Sequence, residues 1–159
     1  MDDFLLWQIR HFVYNHFVDT THPPNVEVTA AHFNISTEEA GEYYKELNDR
    51  HAFFLEPNTL NVRMAWPFSA IPTDFKVHAD GKTYFANCAW DMLGIPVVLQ
   101  KDAVIEAVCT KSNETVRLEV KNGNIAQAAV LGGGDAASSG LLVHFPLPFA
   151  RWYDDLTFT

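Results

Sequence analysis

The constraint that most limits this fold is a change of hydrophobic period at Trp66-Pro67-Phe68. Before it, apolar residues recur at helical spacing; after it, they alternate at the spacing of strands. Helices segregated from a sheet define the α+β class. The expected organisation is an N-terminal helical domain over residues 1–66, then a small, mostly antiparallel sheet domain over residues 67–159 with one short helix. A chain of 159 residues, 48% apolar and 13% aromatic, has material for such cores. Its 19% charged residues argue against disorder.

In the first part, Phe4, Leu5, Ile9, Phe12, Val13 and Phe17 predict a helix that stops before His22-Pro23-Pro24. A second short helix is expected from Thr29 to Phe33, with Asn34-Ile35 as the turn. Ser36 followed by Glu39 matches a capping box. The helix it starts buries Ala40, Tyr43, Tyr44 and Leu47 and ends near Arg50-His51. Strand, turn and strand follow in Ala52-Phe53-Phe54-Leu55, Glu56-Pro57-Asn58 and Thr59 to Met64. Three helices and a hairpin outline a winged helix-turn-helix.

Charge argues against DNA reading. The would-be recognition helix carries Glu38, Glu39, Glu42, Glu46 and Asp49 against Lys45 and Arg50, and the whole chain has a net charge of −9. Such a helix is repelled by phosphates. A packing or lid role is expected, with no nucleic-acid and no membrane partner. Met1-Asp2-Asp3 does not open like a signal peptide. Cys88 and Cys109 form neither a disulfide framework nor a CxxC pair, which fits a reducing, cytoplasmic setting.

In the second part, Thr73 to His78 and Lys82 to Phe85 flank an Asp80-Gly81 hairpin signal. A short helix follows, closed by Gly94 and Pro96. Strands are expected over Ala103 to Cys109, Thr115 to Val120, and Asn124 to Leu131 after an Asn122-Gly123 turn. Gly132 to Gly140 reads as a connector, without the pattern of a phosphate-binding loop. Leu141 to Phe145 is expected as a last strand, and Arg151 to Asp155 as the start of a helix.

The chemistry concentrates in Asn87-Cys88-Ala89-Trp90-Asp91. Residues three apart share a helical face, so the Cys88 thiol and the Asp91 carboxylate fall to one side of the apolar stripe of Ala86, Ala89, Trp90 and Leu93. Held this way they can share a soft metal or pass a proton. The alternative is a buried structural cysteine beside a solvated aspartate. A neighbouring anion raises a thiol's pKa and a helix N-terminus lowers it; spacing leaves the balance open. Trp90 reads as core or as a wall that keeps water from the pocket.

The segment from Pro67-Phe68-Ser69-Ala70-Ile71-Pro72 through Asn87-Cys88-Ala89-Trp90-Asp91, with Cys109 in the strand that follows, resembles the organomercurial lyases (alkylmercury lyases). The winged-helix outline is similar to that family's N-terminal domain. The resemblance implies protonolytic cleavage of carbon–mercury bonds to Hg(II) and a hydrocarbon. It implies Cys88 as the mercury-binding thiolate, Asp91 as the proton donor and Cys109 as a non-catalytic, structural cysteine. Mercury is substrate and product, bound by Cys88 and Asp91, and no cofactor is implied. The family's second catalytic cysteine follows a stretch similar to Val143-His144-Phe145 and Asp154-Asp155-Leu156-Thr157-Phe158, and no cysteine stands there in this sequence. Either the sequence is shortened or the chain lacks that residue. A second thiol would then come from a longer chain, from Cys109, or from an exogenous small thiol. The implied partners are an organomercurial, small thiols and a mercuric reductase that accepts Hg(II).

Other candidates carry less. The histidines His11, His16, His22, His32, His51, His78 and His144 show no HExxH or HxH spacing and read as surface or core-edge residues. Ser69 and His144 sit in no GxSxG elbow. Asp154-Asp155 is read as a helix start or solvated pair. A non-catalytic soft-metal binder and a winged-helix regulator remain as alternatives to the lyase.

Overall fold

The computed structural model describes residues 1–109, 111–131, 141–145 and 147–152. The connector 132–140, the Asp154-Asp155 pair and the stretch to Phe158 lie outside the described residues. The chain divides into two compact units, Met1–Ile71 and Pro72–Thr159. Helices and antiparallel strands make the protein α+β.

In the first unit, helix α1 (Asp3–Thr20) is capped by the Asp2 carboxylate, which accepts from the Phe4 amide. Its buried stripe is Leu6, Ile9, Val13 and Phe17; Phe4 is exposed and Leu5 half-buried, a rotation of the expected face. Helix α2 (Val26–Phe33) starts earlier than expected because Asn25 caps it through the Val28 amide. Asn34, in the left-handed conformation, ends it. Ser36 Oγ accepts from the Glu39 amide and starts α3 (Thr37–Asp49). Ala40, Tyr43, Tyr44 and Leu47 are buried as predicted. Tyr44 carries the main polar tie: its hydroxyl meets Thr29 Oγ1 at 2.8 Å and donates to the Pro24 carbonyl at 3.1 Å. Strands β1 (Phe54–Leu55), β2 (Val62–Ala65) and β3 (Phe68–Ser69) form an antiparallel set in that order. Phe68 stacks on Phe17 at 5.5 Å. Both cations named on the acidic helix are taken by carboxylates, Lys45 by Glu42 and Arg50 by Glu46 and Asp3.

The second unit is a sheet in the order β5-β4-β6-β7-β8, each neighbour antiparallel. Its strands are β4 (Phe75–Ala79), β5 (Lys82–Ala86), β6 (Ala103–Val108), β7 (Thr115–Lys121) and β8 (Asn124–Leu131). Asp80-Gly81 and Asn122-Gly123 turn two hairpins, all four residues having positive φ. Val77, Ala79, Tyr84, Ala86, Ile105 and Leu118 bury one face, on which helix α4 (Ala89–Leu99) packs against β4, β5 and β6. The other face carries a ladder of ion pairs, Glu106 with His78 and Arg117, and Glu119 with Arg117 and Lys121.

Two expectations fail in this unit. Helix α4 does not close at Gly94 and Pro96 but runs through both to Leu99, where Gln100 in the left-handed conformation ends it. Pro96 lacks the N–H that would bond the Met92 carbonyl, yet it is buried and the helix continues on its packing. Leu141 to Phe145 forms no strand: a short, mostly apolar run makes no ladder unless a neighbouring strand takes up its backbone hydrogen bonds. A turn of 3-10 helix spans Phe149–Arg151, and most of the helix expected from Arg151 to Asp155 lies outside the described residues.

Candidate active site

Strand β5 delivers the chain to Cys88, which is the N-cap residue of α4, in extended conformation with φ −148° and ψ 176°. Asp91 follows in the first turn. The Met92 amide donates to the Cys88 carbonyl at 3.1 Å, closing that turn. Helix geometry therefore brings the thiol and the carboxyl together, and they hydrogen-bond to each other.

Burial decides the electrostatics. Asp91 is only 9% exposed, so it is not the solvated aspartate of the alternative reading. Desolvation pushes its carboxyl up to about 6, opposed only by the Cys88 hydrogen bond. Cys88 is half-buried. Its thiol is pushed up to about 11, first by desolvation and then by the Asp91 charge. The sulfur makes no regular capping hydrogen bond, although the amides of Asp91 and Trp90 face it closely enough to favour the thiolate. The helix N-terminus loses that contest. At neutral pH the pair rests as a thiol beside a carboxyl able to take or give a proton.

Cys109 is differently placed. It sits just past β6, in the turn to β7, where its amide donates to the Glu114 carbonyl at 2.8 Å. Its thiol is lowered, chiefly by the Ser112 hydroxyl and then by the amides of Ser112 and Lys111. Lys76 pairs with both Phe85 and Glu106, so β5 and β6 leave β4 toward the same end of the sheet, where Cys88 and Cys109 follow. Even so, no three His, Cys, Asp or Glu side chains gather into a metal-holding group among the described residues. Cys109 therefore does not complete a trio with Cys88 and Asp91.

Trp90 is not core: it is 56% exposed, and its indole leans on Phe145 with ring centres 6.0 Å apart. Phe145 in turn stacks on Trp152 at 5.2 Å. Sequence reading missed this grouping, because nothing local links position 90 to positions 145 and 152. The histidines are dispersed: His16 meets the His22 carbonyl, His32 stacks on Phe12, His51 stacks on Phe54, and His78 meets Thr83 and Glu106. Ser69 Oγ donates to the Ile71 carbonyl. A shallow groove of about 460 Å³ lies at the opposite end of β5, lined by Asp80, Lys82, Asp102, Glu119 and Lys121 among others, with no thiol.

The chain is thus an α+β protein that holds a buried carboxyl against a thiol at a helix N-cap. Residues 68–136, which include Cys88, Asp91 and Cys109, match the family model MerB, alkylmercury lyase. The resemblance to the organomercurial lyase family is thereby borne out over that segment. Among solved structures, the chain is similar to one described as the mercury-bound form of MerB2. The identity is 23% and the TM-score 0.62, over 76% of this chain and 59% of that one. The chain thus spans about three-fifths of the length of that solved relative. Comparison with curated proteins gives no match. No helix among the described residues is long and apolar enough to cross a membrane.

Proposed function

We propose that this chain cleaves carbon–mercury bonds by protonolysis, with Cys88 as the mercury-binding sulfur and Asp91 as the proton carrier. The observation that carries the reading is the buried Asp91 carboxyl bonded to the Cys88 thiol inside the segment that matches the alkylmercury lyases. Mercury(II) is soft and prefers thiolate. As the Cys88 sulfur takes R–Hg⁺ from its carrier anion, the thiol proton passes to the Asp91 carboxylate. The neutral carboxyl then gives that proton to the carbon as the carbon–mercury bond breaks, releasing the hydrocarbon and restoring the carboxylate. A carboxyl near 6 suits both transfers at neutral pH.

A second thiolate enriches the metal and carries Hg(II) away. Among the described residues only Cys109 remains to supply one, and it forms no metal-holding trio with the pair. We assign that role to an exogenous small thiol or a cysteine of a longer chain, with a mercuric reductase as downstream acceptor and the cytoplasm as the setting. The first unit is read as a winged-helix-like packing domain, a role supported by its three helices, its hairpin and its paired cations.

The test is incubation with phenylmercury and excess small thiol, measuring benzene. Release that depends on Cys88 supports the lyase; release no greater than from Cys88→Ala overturns it. That Cys88, Asp91 and Cys109 form no metal-holding trio among the described residues favours a second reading, a soft-metal binder without turnover. Stoichiometric Hg(II) retention through Cys88 with no hydrocarbon would select it.

A further inference from the structure

Two residues past Cys88, Trp90 opens an aromatic cluster with Phe145 and Trp152 that the proton-transfer scheme does not use. Trp90 lies in the first turn of α4, and its own amide faces the Cys88 sulfur. Side chains of a helix lean toward its N-terminus, so the indole rises toward the end where the sulfur sits. It does so largely in the open: Trp90 is 56% exposed and Phe145 is 41% exposed. The two rings are tilted 59° to one another with centres 6.0 Å apart, within the range of aromatic pairs. Phe145 is backed by Trp152, parallel within 17°. Trp152 is itself fixed by its indole N–H, which donates to the Leu147 carbonyl at 2.9 Å. The wall is therefore braced from behind and leaves indole surface uncovered.

Exposed apolar surface beside a reactive group is the usual form of a substrate subsite. Mercury bound to one thiolate and one carbon is close to linear, so the organic group projects away from sulfur into its surroundings. An aryl group there meets a ring face of its own size, whereas a methyl group covers little of it. Offset or edge-to-face contact with an aromatic ligand adds to simple area burial.

We propose that Trp90 and Phe145 form the seat for the organic group and make this chain select arylmercurials over methylmercury. The inference rests on the proposed function, since it takes Cys88 as the mercury ligand. Trp90 acts in specificity, holding the leaving group beside the proton carrier; it has no part in the proton transfer itself.

The test separates seat from turnover. In a Cys109→Ser, Asp91→Asn background, Cys88 is the sole thiol and the proton carrier is gone. Phenylmercury and methylmercury are then partitioned between the protein and an excess small monothiol, with protein-bound mercury measured after dialysis. The phenyl-to-methyl loading ratio, relative to the free thiol, should favour phenyl by about three- to tenfold. Trp90→Ala should bring it close to one, and Trp90→Phe should keep most of it. An unchanged ratio in Trp90→Ala, or no loading of Cys88 by either mercurial, overturns the proposal. Aryl selectivity that disappears with Trp90, in a protein that releases no benzene with Asp91 restored, upholds the seat while rejecting the lyase reading.

Discussion

The Asp91 carboxyl, buried one helical turn inside the N-cap, accepts a hydrogen bond from the Cys88 thiol and is the second cause, after desolvation, of that thiol's high pKa. Asp91→Asn removes the charge and leaves the burial. The pH midpoint for Cys88 alkylation should fall from about 11 toward the ordinary thiol value without reaching it, because desolvation is the larger cause. Iodoacetamide rates across pH 7 to 12 measure it.

The same carboxyl makes stability depend on acid. Its folded-state value, about 6, lies above the ordinary 3.8, so the folded chain holds a proton that the unfolded chain has already released. Between those values stability falls as pH rises, and above about 6 the penalty is complete. Urea titrations should lose on the order of 2 kcal/mol from pH 4 to pH 7 through this group. Asp91→Asn should flatten that part of the profile.

The two cysteines should react in the order opposite to their proposed importance. Cys109 has a lowered pKa in a turn, and Cys88 a raised one beside a carboxyl. Partial carboxymethylation at pH 7.5 followed by peptide mapping should find Cys109 modified first. A thiol at about 11 should react roughly tenfold more slowly than an ordinary one, its stronger thiolate offsetting part of its scarcity.

In the first unit, Tyr44→Phe removes the hydroxyl that joins Thr29 and the Pro24 carbonyl. Both partners are left short of a bond in a buried place. The cost should be about 1–2 kcal/mol in urea unfolding. The double variant with Thr29→Val should cost less than the sum of the two singles, because each removes the other's orphan.

What was legible in the sequence was local. Asp80-Gly81 and Asn122-Gly123 announce their hairpins because positive φ at both positions suits few residues. Ser36 and the stripe from Ala40 to Leu47 mark α3 for similar reasons. Proximity of Cys88 and Asp91 was legible from their spacing. The burial of Asp91 was not, because it depends on what the sheet places over that turn. Trp90 read equally as core or as wall, and only the position of Phe145 distinguishes them. Leu141 to Phe145 misled for a related reason, since a short apolar run without a partner strand makes no sheet.

Proline at position 96 has a mechanical consequence. With no donor there for the Met92 carbonyl, the turn bearing sulfur and carboxyl is joined to the remainder of its helix by one rung fewer than a regular ladder supplies. The residue that looked like a full stop in the sequence is instead a missing rung inside a helix that carries on past it.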